Sequence, residues 1–256
     1  MTNKSNHAIR RALLSVLTLA ITFSGLFVHA AETGEVREVY ACNYINGADR
    51  DDLMSARDNL VKQLDKIDIK LNTYLWTPMT GTNGEIDILW QNHYENLNAF
   101  GAVSDKYTRS PEGQSAQAKF DDIIKCTSSL NARQEIFNGG GEMGGNPPVT
   151  ISVSSCKLNH GHTMASSMPD LISHLQGTLA DMAEFKSFLA YMTVPMVSST
   201  DVDLRFIGVY NTTADYTAAT TALRTSDDGQ MLGRHFRTVV DCNSSLWSGE
   251  RIIIND

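Results

Sequence analysis

The sequence lacks the short motifs that mark the common enzyme classes. It contains no G-x-S-x-G pattern and no P-loop. It has four cysteines, but none stands in C-x-x-C spacing, so a redox or zinc motif of that kind is not supported. No motif in the sequence therefore assigns a reaction to this protein.

Basic charge is also scarce. The chain has 21 Lys and Arg against 29 Asp and Glu, a formal net charge of −8, and three of the basic residues fall within residues 1–30. The rest of the chain is therefore more acidic still. Nucleic acid and anionic membranes both require a basic surface. We expect no nucleic-acid partner, and no membrane partner once residues 1–30 are removed.

Long apolar runs are limited to one, at residues 12–28, and Ser, Thr and Gly residues dilute it. Arg10 and Arg11 precede this run and small residues ending at Ala30 follow it, which is the order of a secretory signal peptide. We expect cleavage after Ala30, and the alternative is an uncleaved membrane anchor. Cleavage predicts a secreted protein, periplasmic or extracellular, and the composition suggests a bacterial source.

The rest of the sequence contains an internal repeat. At an offset of 116 residues, segment 86–130 aligns with segment 202–246 without a gap and with eleven identities. Cys126 matches Cys242 at this offset, and Cys42 matches Cys156 at an offset of 114. The change of offset indicates small insertions in loops. Because both cysteines recur in the same order, we interpret the chain as a tandem duplication.

The duplication predicts a domain organisation. A run of glycine and proline between the copies is typical of a flexible linker. The predicted parts are a signal peptide at 1–30, a first repeat at 31–137, a linker at 138–148 and a second repeat at 149–256.

Both copies predict the same order of elements from their apolar periodicity and turn residues. The first copy has predicted strands at 36–45, 69–76, 85–94 and 131–137, a turn at 78–84, and helices at 49–67, 96–107 and 115–126. The second has predicted strands at 149–157, 185–194, 202–210 and 246–254, and helices at 168–182, 213–224 and 230–240. This βαββαβ order with an interrupted second helix is the ferredoxin-like arrangement.

Two such units in one chain resemble the dimeric α/β-barrel superfamily. The resemblance rests on element order and duplication, and it covers nearly all of the sequence after residue 30. It implies an α+β fold in which two ferredoxin-like βαββαβ repeats form an intramolecular dimeric α/β-barrel with the helices outside. Members include cofactor-independent monooxygenases, haem enzymes, stress-responsive proteins and proteins without known activity, so the fold alone does not select a function.

Four cysteines in an exported chain predict two disulfides, with three possible pairings. Exchange of the two copies leaves each pairing unchanged, so symmetry cannot choose among them. Each copy carries one cysteine in its first strand and one at the predicted end of its last helix, which packs across that strand's sheet. We therefore predict the pairs Cys42–Cys126 and Cys156–Cys242.

Aromatic residues of the predicted strands are candidate ligand contacts. Core packing explains most of them, but a subset could line a cavity between sheet and helices. The candidate binding residues are Trp76, Trp90, His93, Tyr94, Phe206 and Tyr210. His93 corresponds to Val209 in the second copy, so it is specific to one copy. It could act as a general base or be a structural histidine.

The sequence contains histidines that could be metal or haem ligands and aspartates that could pair, but none of them forms a recognisable site. His160 and His162 could bind a metal ion together, but the further ligands of a complete site are not evident. His235 would be a haem ligand only by the resemblance to haem-binding members. Asp87 and Asp203 recur at equivalent positions and could form an acid pair, although a role in a turn explains them as well. No metal site and no cofactor is predicted.

Three functions remain, in order of preference. The first is an exported small-molecule-binding protein that holds an apolar or aromatic ligand in a pocket between sheet and helices. The second is a structural or interaction protein with a fully packed barrel, and the third is a cofactor-independent monooxygenase-like enzyme that uses His93 or a nearby polar group. An apolar cavity favours the first, a packed interior the second, and a cavity with a histidine or acid pointing inward the third. The sequence does not determine the oligomeric state.

Overall fold

A computed structural model describes residues 34–82, 84–140, 147–198 and 200–254. The predicted signal peptide and the central part of the predicted linker lie outside the described residues. The first copy comprises β1 (Val36–Tyr44), α1 (Arg50–Lys66), β2 (Asn72–Thr80), β3 (Ile88–Tyr94), α2 (Leu97–Arg109), α3 (Pro111–Asp121) and β4 (Ile124–Asn138). The second comprises β5 (Val149–Leu158), α4 (Met164–Asp181), a 3₁₀ turn (Ala183–Phe185), β6 (Leu189–Val197), β7 (Leu204–Tyr210), α5 (Thr213–Thr225), α6 (Asp227–Val239) and β8 (Val240–Ile253).

The eight strands close into one antiparallel barrel in the order β1-β3-β2-β8-β5-β7-β6-β4. Each copy supplies four neighbouring strands, and the ladders β2–β8 and β4–β6 join the copies. One face of each sheet points into the barrel and the other is covered by that copy's helices, so both faces are buried. The expected α+β intramolecular dimeric α/β-barrel is confirmed.

Local sequence explains where the helices begin and why the second one is interrupted. Asp49 caps α1 in a capping box with Asp52. Ser110 ends α2 and caps α3 by accepting a hydrogen bond from Gly113 N. A Cβ atom at Gly113 would lie 1.9 Å from the Tyr107 carbonyl oxygen, so only glycine fits there. The recurrence of Ser-x-x-Gly at 226–229 repeats this helix break in the second copy.

The two disulfides form the predicted pairs, Cys42–Cys126 and Cys156–Cys242. The reason given from sequence was wrong, because Cys126 and Cys242 lie in strands β4 and β8 and not at helix ends. In each copy the two cysteines stand directly opposite one another in the ladder, with Cα atoms 4.0 and 4.1 Å apart. Two disulfides indicate an oxidising location outside the cytoplasm.

The strand bounds differ from the predictions in two ways. Strands β4 and β8 begin directly after the preceding helices, because exposed Ser, Thr and Asn residues there pair in the ladder without an apolar alternation. Strand β2 continues through Pro78, at which a turn was predicted, and the β2–β8 ladder shifts register between Pro78 and Thr80. None of the helices in the described parts of the chain is long and apolar enough to cross a membrane.

Asp87 and Asp203 occupy equivalent loops before β3 and β7. The Asp87 carboxylate accepts a hydrogen bond from Tyr44 N at 2.9 Å, and the Asp203 carboxylate accepts one from Leu158 N at 2.8 Å. Both side chains are exposed and stabilise the turn that follows the first strand of their copy. This geometry favours the turn role over an acid pair.

Candidate functional site

Two cavities lie on opposite faces of the first copy's sheet. The outer cavity has a volume of about 340 Å³ and lies between the sheet and helices α1, α2 and α3. The inner cavity has a volume of about 250 Å³ and lies inside the barrel. Successive residues of a strand point to opposite faces, so neighbouring residues of β1 and β3 contribute to different cavities.

The outer cavity is mainly apolar, with several aromatic rings. Residues at even positions of β1 and β3 form its floor, and residues of the three helices form its walls. The rings are those of Tyr40, Trp90, Tyr94, Tyr107 and Phe120, and the aliphatic side chains are Leu60, Leu64, Leu71, Val103 and Ile124. A ligand in this space would contact ring faces over most of its surface.

One carboxylate, that of Glu38, lies on this floor. Glu38 Oε1 accepts a hydrogen bond from Tyr40 Oη at 2.7 Å, and Oε2 accepts from Tyr94 Oη at 2.9 Å and from Asn92 Nδ2 at 3.0 Å. Three donors from two strands therefore fix its orientation. A carboxylate has about four lone-pair sites, so one remains for a further donor.

Asn92 is held in turn by two donors. Its Oδ1 atom accepts hydrogen bonds from Trp90 Nε1 and Thr73 Oγ1, both at 3.0 Å. Asn92 and Thr73 are buried. The amide group is thus oriented so that its NH₂ group points to Glu38, and the network leaves little freedom to the cavity floor.

The tyrosines around Glu38 remain protonated over the physiological range. Burial, followed by the neighbouring Glu38 carboxylate, raises the pKa of Tyr40 and of Tyr94 far above the ordinary value. Burial, with Asp121 next, raises the pKa of Tyr107 to about 12. These phenols are therefore donors: Tyr40 and Tyr94 share Glu38 as their acceptor, and Tyr107 donates to Gln117 Oε1 at 3.4 Å.

The corresponding space in the second copy is filled. Phe188 stands where the first copy has Leu71, and Gly208 stands where it has Asn92. A Cβ atom on Gly208 would lie 2.9 Å from the Phe188 ring, so the ring packs directly on the strand backbone. Phe188 also contacts Tyr210, with ring centroids 4.7 Å apart. The outer cavity is therefore a property of the first copy's packing.

No protein-family model and no curated protein matches the chain by sequence. Solved structures do match its fold. A candidate monooxygenase from Fusobacterium nucleatum has a TM-score of 0.54 at 10% identity, covering 88% of this chain and 95% of that one. A candidate monooxygenase from Lactobacillus acidophilus has a TM-score of 0.54 at 8% identity, covering 87% of this chain and 100% of that one. A mutant chlorite dismutase from Candidatus Nitrospira defluvii has a TM-score of 0.52 at 12% identity, covering 86% of this chain and 93% of that one.

The chain has the fold of the dimeric α/β-barrel superfamily. At these identities the likeness concerns the fold alone, and no residue of the matched proteins can be transferred.

Within this dimeric α/β-barrel, the six predicted binding residues fall into three places. Trp90 and Tyr94 line the outer cavity. Phe206 and Tyr210 pack in the equivalent, filled region of the second copy, where the rings of Phe206 and Phe236 have centroids 4.9 Å apart. Trp76 and His93 lie on the side of the sheet that faces the barrel. Trp76 lines the inner cavity, and the His93 ring stacks on the Tyr74 ring with their centroids 4.2 Å apart.

Glu38, Tyr40 and Asn92 were not among the residues predicted from the sequence. The signal was the alternation of polar and aromatic residues at 38 and 40 and at 90, 92 and 94, which would place all five side chains on one face of neighbouring strands. Of this pattern only Trp90 and Tyr94 were predicted as binding residues. The pairing of Glu38 with Asn92 depends on the β1–β3 register.

Two of the three histidines considered for metal or haem binding, His162 and His235, have protein partners. His162 Nδ1 lies 2.9 Å from Ser167 Oγ, and His235 Nδ1 lies 3.1 Å from His174 Nδ1 between α6 and α4. Across the described ranges, no group of three or more His, Cys, Asp or Glu side chains could hold a metal ion.

Proposed function

We propose that the protein is an exported small-molecule-binding protein whose ligand occupies the outer cavity of the first copy. The observation that carries the proposal is an aromatic-walled cavity of about 340 Å³ with one oriented carboxylate on its floor. Its volume lies at the lower end of the range of ligand pockets, so the ligand is small. The signal-like residues 1–30 and the two disulfides support export, to the periplasm or the cell exterior.

The polar groups indicate the ligand's chemistry. Glu38 can only accept hydrogen bonds when it is ionised, and Asp121 also lines the cavity. None of the described residues that line it is basic. An anionic ligand would therefore meet like charge without a counter-ion. The site suits a planar, mainly apolar molecule, such as an aromatic compound, that donates one hydrogen bond from a hydroxyl or amine group to Glu38.

Native mass spectrometry of the protein purified from its own host tests the proposal. Wild-type protein should retain a small molecule, and Leu71→Phe should lose it, because that change introduces the ring that fills the second copy. Calorimetry with 2-naphthol and 2-methoxynaphthalene then tests the donor, since only the naphthol can donate to Glu38. Glu38→Gln should weaken naphthol binding at least tenfold, a loss of about 1.4 kcal/mol or more.

The exposed Glu95, just beyond the end of β3, offers a matched control as Glu95→Gln, which should bind naphthol as the wild type does. Equal retention of a molecule by wild type and Leu71→Phe would contradict the outer cavity as the site. Equal affinity for the two naphthalene probes would contradict the role of Glu38.

A monooxygenase-like enzyme is the second candidate, because an acidic side chain points into the cavity. In that case Glu38, and not His93 on the opposite face, would take a proton from a bound phenolic substrate, and molecular oxygen would be the co-substrate. Two of the matched folds are named as candidate monooxygenases. Oxygen uptake with the retained ligand that is lost in Glu38→Gln would select the enzyme, and recovery of the unchanged ligand would select binding alone.

A further inference from the structure

The inner cavity has a different chemistry from the outer one and does not depend on the function proposed above. Its walls are apolar side chains of both copies, including Trp76, Val153, Ile207 and Trp247, together with hydroxyl groups of serines and threonines. Arg37 and Arg205 also line it. Among the described lining residues none is acidic, so the wall of the cavity carries two cationic side chains and no carboxylate.

Three buried donors in this wall have no acceptor within the described residues. They are Arg37 Nε, Tyr191 Oη and Trp76 Nε1, on side chains that are 4%, 1% and 3% exposed. Buried donors in native proteins nearly always have an acceptor, and leaving one without an acceptor lowers stability. All three belong to residues that line the inner cavity, so an acceptor group bound there would lie next to side chains whose donors lack a partner.

Arg37 shares its carboxylate partner with a second arginine. Its Nη2 atom donates to Glu35 Oε2 at 2.9 Å, and the same carboxylate oxygen also accepts from Arg133. Arg133 has a second carboxylate partner in Glu135, with Nη2 and Oε2 3.5 Å apart, whereas Glu35 is the one carboxylate among the hydrogen bonds of Arg37 within the described residues. Burial lowers the pKa of Arg37 to about 10, so the side chain is still a cation at neutral pH.

Arg205 faces the cavity from the second copy without an acidic partner in its hydrogen bonds. Its guanidinium donates to Thr200 Oγ1 at 3.1 Å and to Asn131 Oδ1 at 3.5 Å. Asn131 stands opposite Arg37 in the β1–β4 ladder and donates to the Arg37 carbonyl oxygen at 3.4 Å. Asn131 therefore links the Arg205 side chain to the backbone of Arg37, and all three residues line the cavity. Burial also lowers the pKa of Arg205.

We propose that the inner cavity is a second ligand site, which binds a small organic carboxylate. The carboxylate group would accept hydrogen bonds from Arg37, Tyr191 and Arg205, and guanidinium groups suit carboxylate geometry. The apolar body of the ligand would lie against Trp76 and Trp247. The apolar part of the wall is the reason to assign an organic acid and not a fully polar inorganic anion.

Tryptophan fluorescence tests this site directly. The chain has three tryptophans; two line the inner cavity, and Trp90 lines the outer one. In a Trp90→Phe background, benzoate should change the emission saturably, and the isosteric neutral benzamide should not. Equal responses to both probes, or competition by inorganic phosphate at the same concentration as benzoate, would overturn the carboxylate assignment, as would no saturable response to benzoate.

A variant of Arg205, with a matched control, tests whether this arginine binds the benzoate carboxylate. Arg205→Leu introduces the residue that the first copy has at the equivalent position, Leu89, and should weaken benzoate binding at least tenfold. Arg224→Leu, at an exposed position of α5, is the matched control and should leave binding unchanged. Unchanged affinity in Arg205→Leu would contradict the proposal.

Tyr191→Phe separates a ligand-binding role from a structural one and also covers the case that Arg205→Leu does not fold. The hydroxyl group has no protein acceptor within the described residues, so its removal should leave the unfolding midpoint of the ligand-free protein unchanged or higher. Benzoate affinity should fall at least threefold. A lower unfolding midpoint with unchanged benzoate affinity would show that the hydroxyl group serves the fold and would overturn its assignment as a ligand donor.

Discussion

The two faces of the first copy's sheet differ in charge although the same strands form them. On β1, Arg37 points into the barrel and Glu38 points to the helices. On β3, Gln91 likewise points into the barrel and Asn92 points to the helices. Strand alternation thus lets adjacent residues serve a cationic cavity and an acidic cavity without pairing with one another. A sheet buried on both faces can therefore carry two sites of opposite chemistry.

The second copy provides apolar surface at the equivalent positions. Inside the barrel, Arg37 and Gln91 correspond to Ile151 and Ile207, and Asn131 corresponds to Trp247. On the helix side, Phe188 occupies the space that is open in the first copy. Duplication has kept the backbone and the disulfides, whereas the outer cavity and the barrel-facing polar residues Arg37, Gln91 and Asn131 belong to the first copy.

Removal of the disulfides should have the largest effect and should affect both copies alike. The bridges close loops of similar size, with separations of 84 and 86 residues. Replacing either pair by serines should therefore lower the free energy of unfolding by about 4.5 kcal/mol according to loop entropy. Chemical denaturation of the two double variants measures both losses.

Ligand binding should distinguish the two bridges. Cys42 and Cys126 line the outer cavity, so the variant lacking this bridge should also bind 2-naphthol more weakly. The variant lacking Cys156–Cys242 should keep its naphthol affinity under conditions in which it is folded. Loss of affinity in the second variant alone would contradict the assignment of the outer cavity to the first copy.

Truncation of one aromatic pair should show the difference in packing. Trp90 is 5% exposed and donates to Asn92, whereas the equivalent Phe206 is only partly buried. Trp90→Ala should lower the free energy of unfolding by about 3–5 kcal/mol. Phe206→Ala should cost about 2 kcal/mol, because less apolar surface is lost from the core. Equal losses in urea unfolding would show that the two copies pack these residues equivalently.

The duplicated pattern made much of the fold predictable. The two βαββαβ units and the helix break at Ser110 follow from residues that recur in both copies. The recurrence does not select the cysteine pairs, which depend on the register of the β1–β4 and β5–β8 ladders. The cavities were not predictable in this way, because they arise where the copies differ. Glu38 was not selected because a single acid in a strand is typical of a solvated face. Its role depends on a cross-strand register that no local pattern contains.

A similar reason applies to Arg37. Next to Glu38 in sequence, it suggests an exposed ion pair, but its actual carboxylate partner is Glu35, two positions away on the same face. The difference between Leu71 and Phe188, which opens one cavity and fills its equivalent, appears in sequence as an ordinary exchange of apolar residues. Such volume changes have an effect only in the packed structure.

The pH dependence of the tyrosines should show the smallest effect and should differ between the two faces. The Glu38 carboxylate raises the pKa of Tyr94, whereas Arg37 and Arg133 lower the pKa of Tyr191 and so offset part of the rise due to burial. A tyrosine whose pKa is raised on folding stabilises the protein fully below its unfolded pKa of about 10 and loses this contribution as the pH rises towards its folded pKa. Stability should therefore decline above about pH 10. Glu38→Gln removes the charge next to Tyr94, so residue-resolved NMR of ring-labelled tyrosines should show the titration of Tyr94 beginning at lower pH than in the wild type, with Tyr191 unchanged. Arg37→Met should shift Tyr191 to higher pH and leave Tyr94 unchanged. If either variant shifted both tyrosines together, the two faces would be electrostatically coupled through the sheet, and the separation of the two cavities would be contradicted.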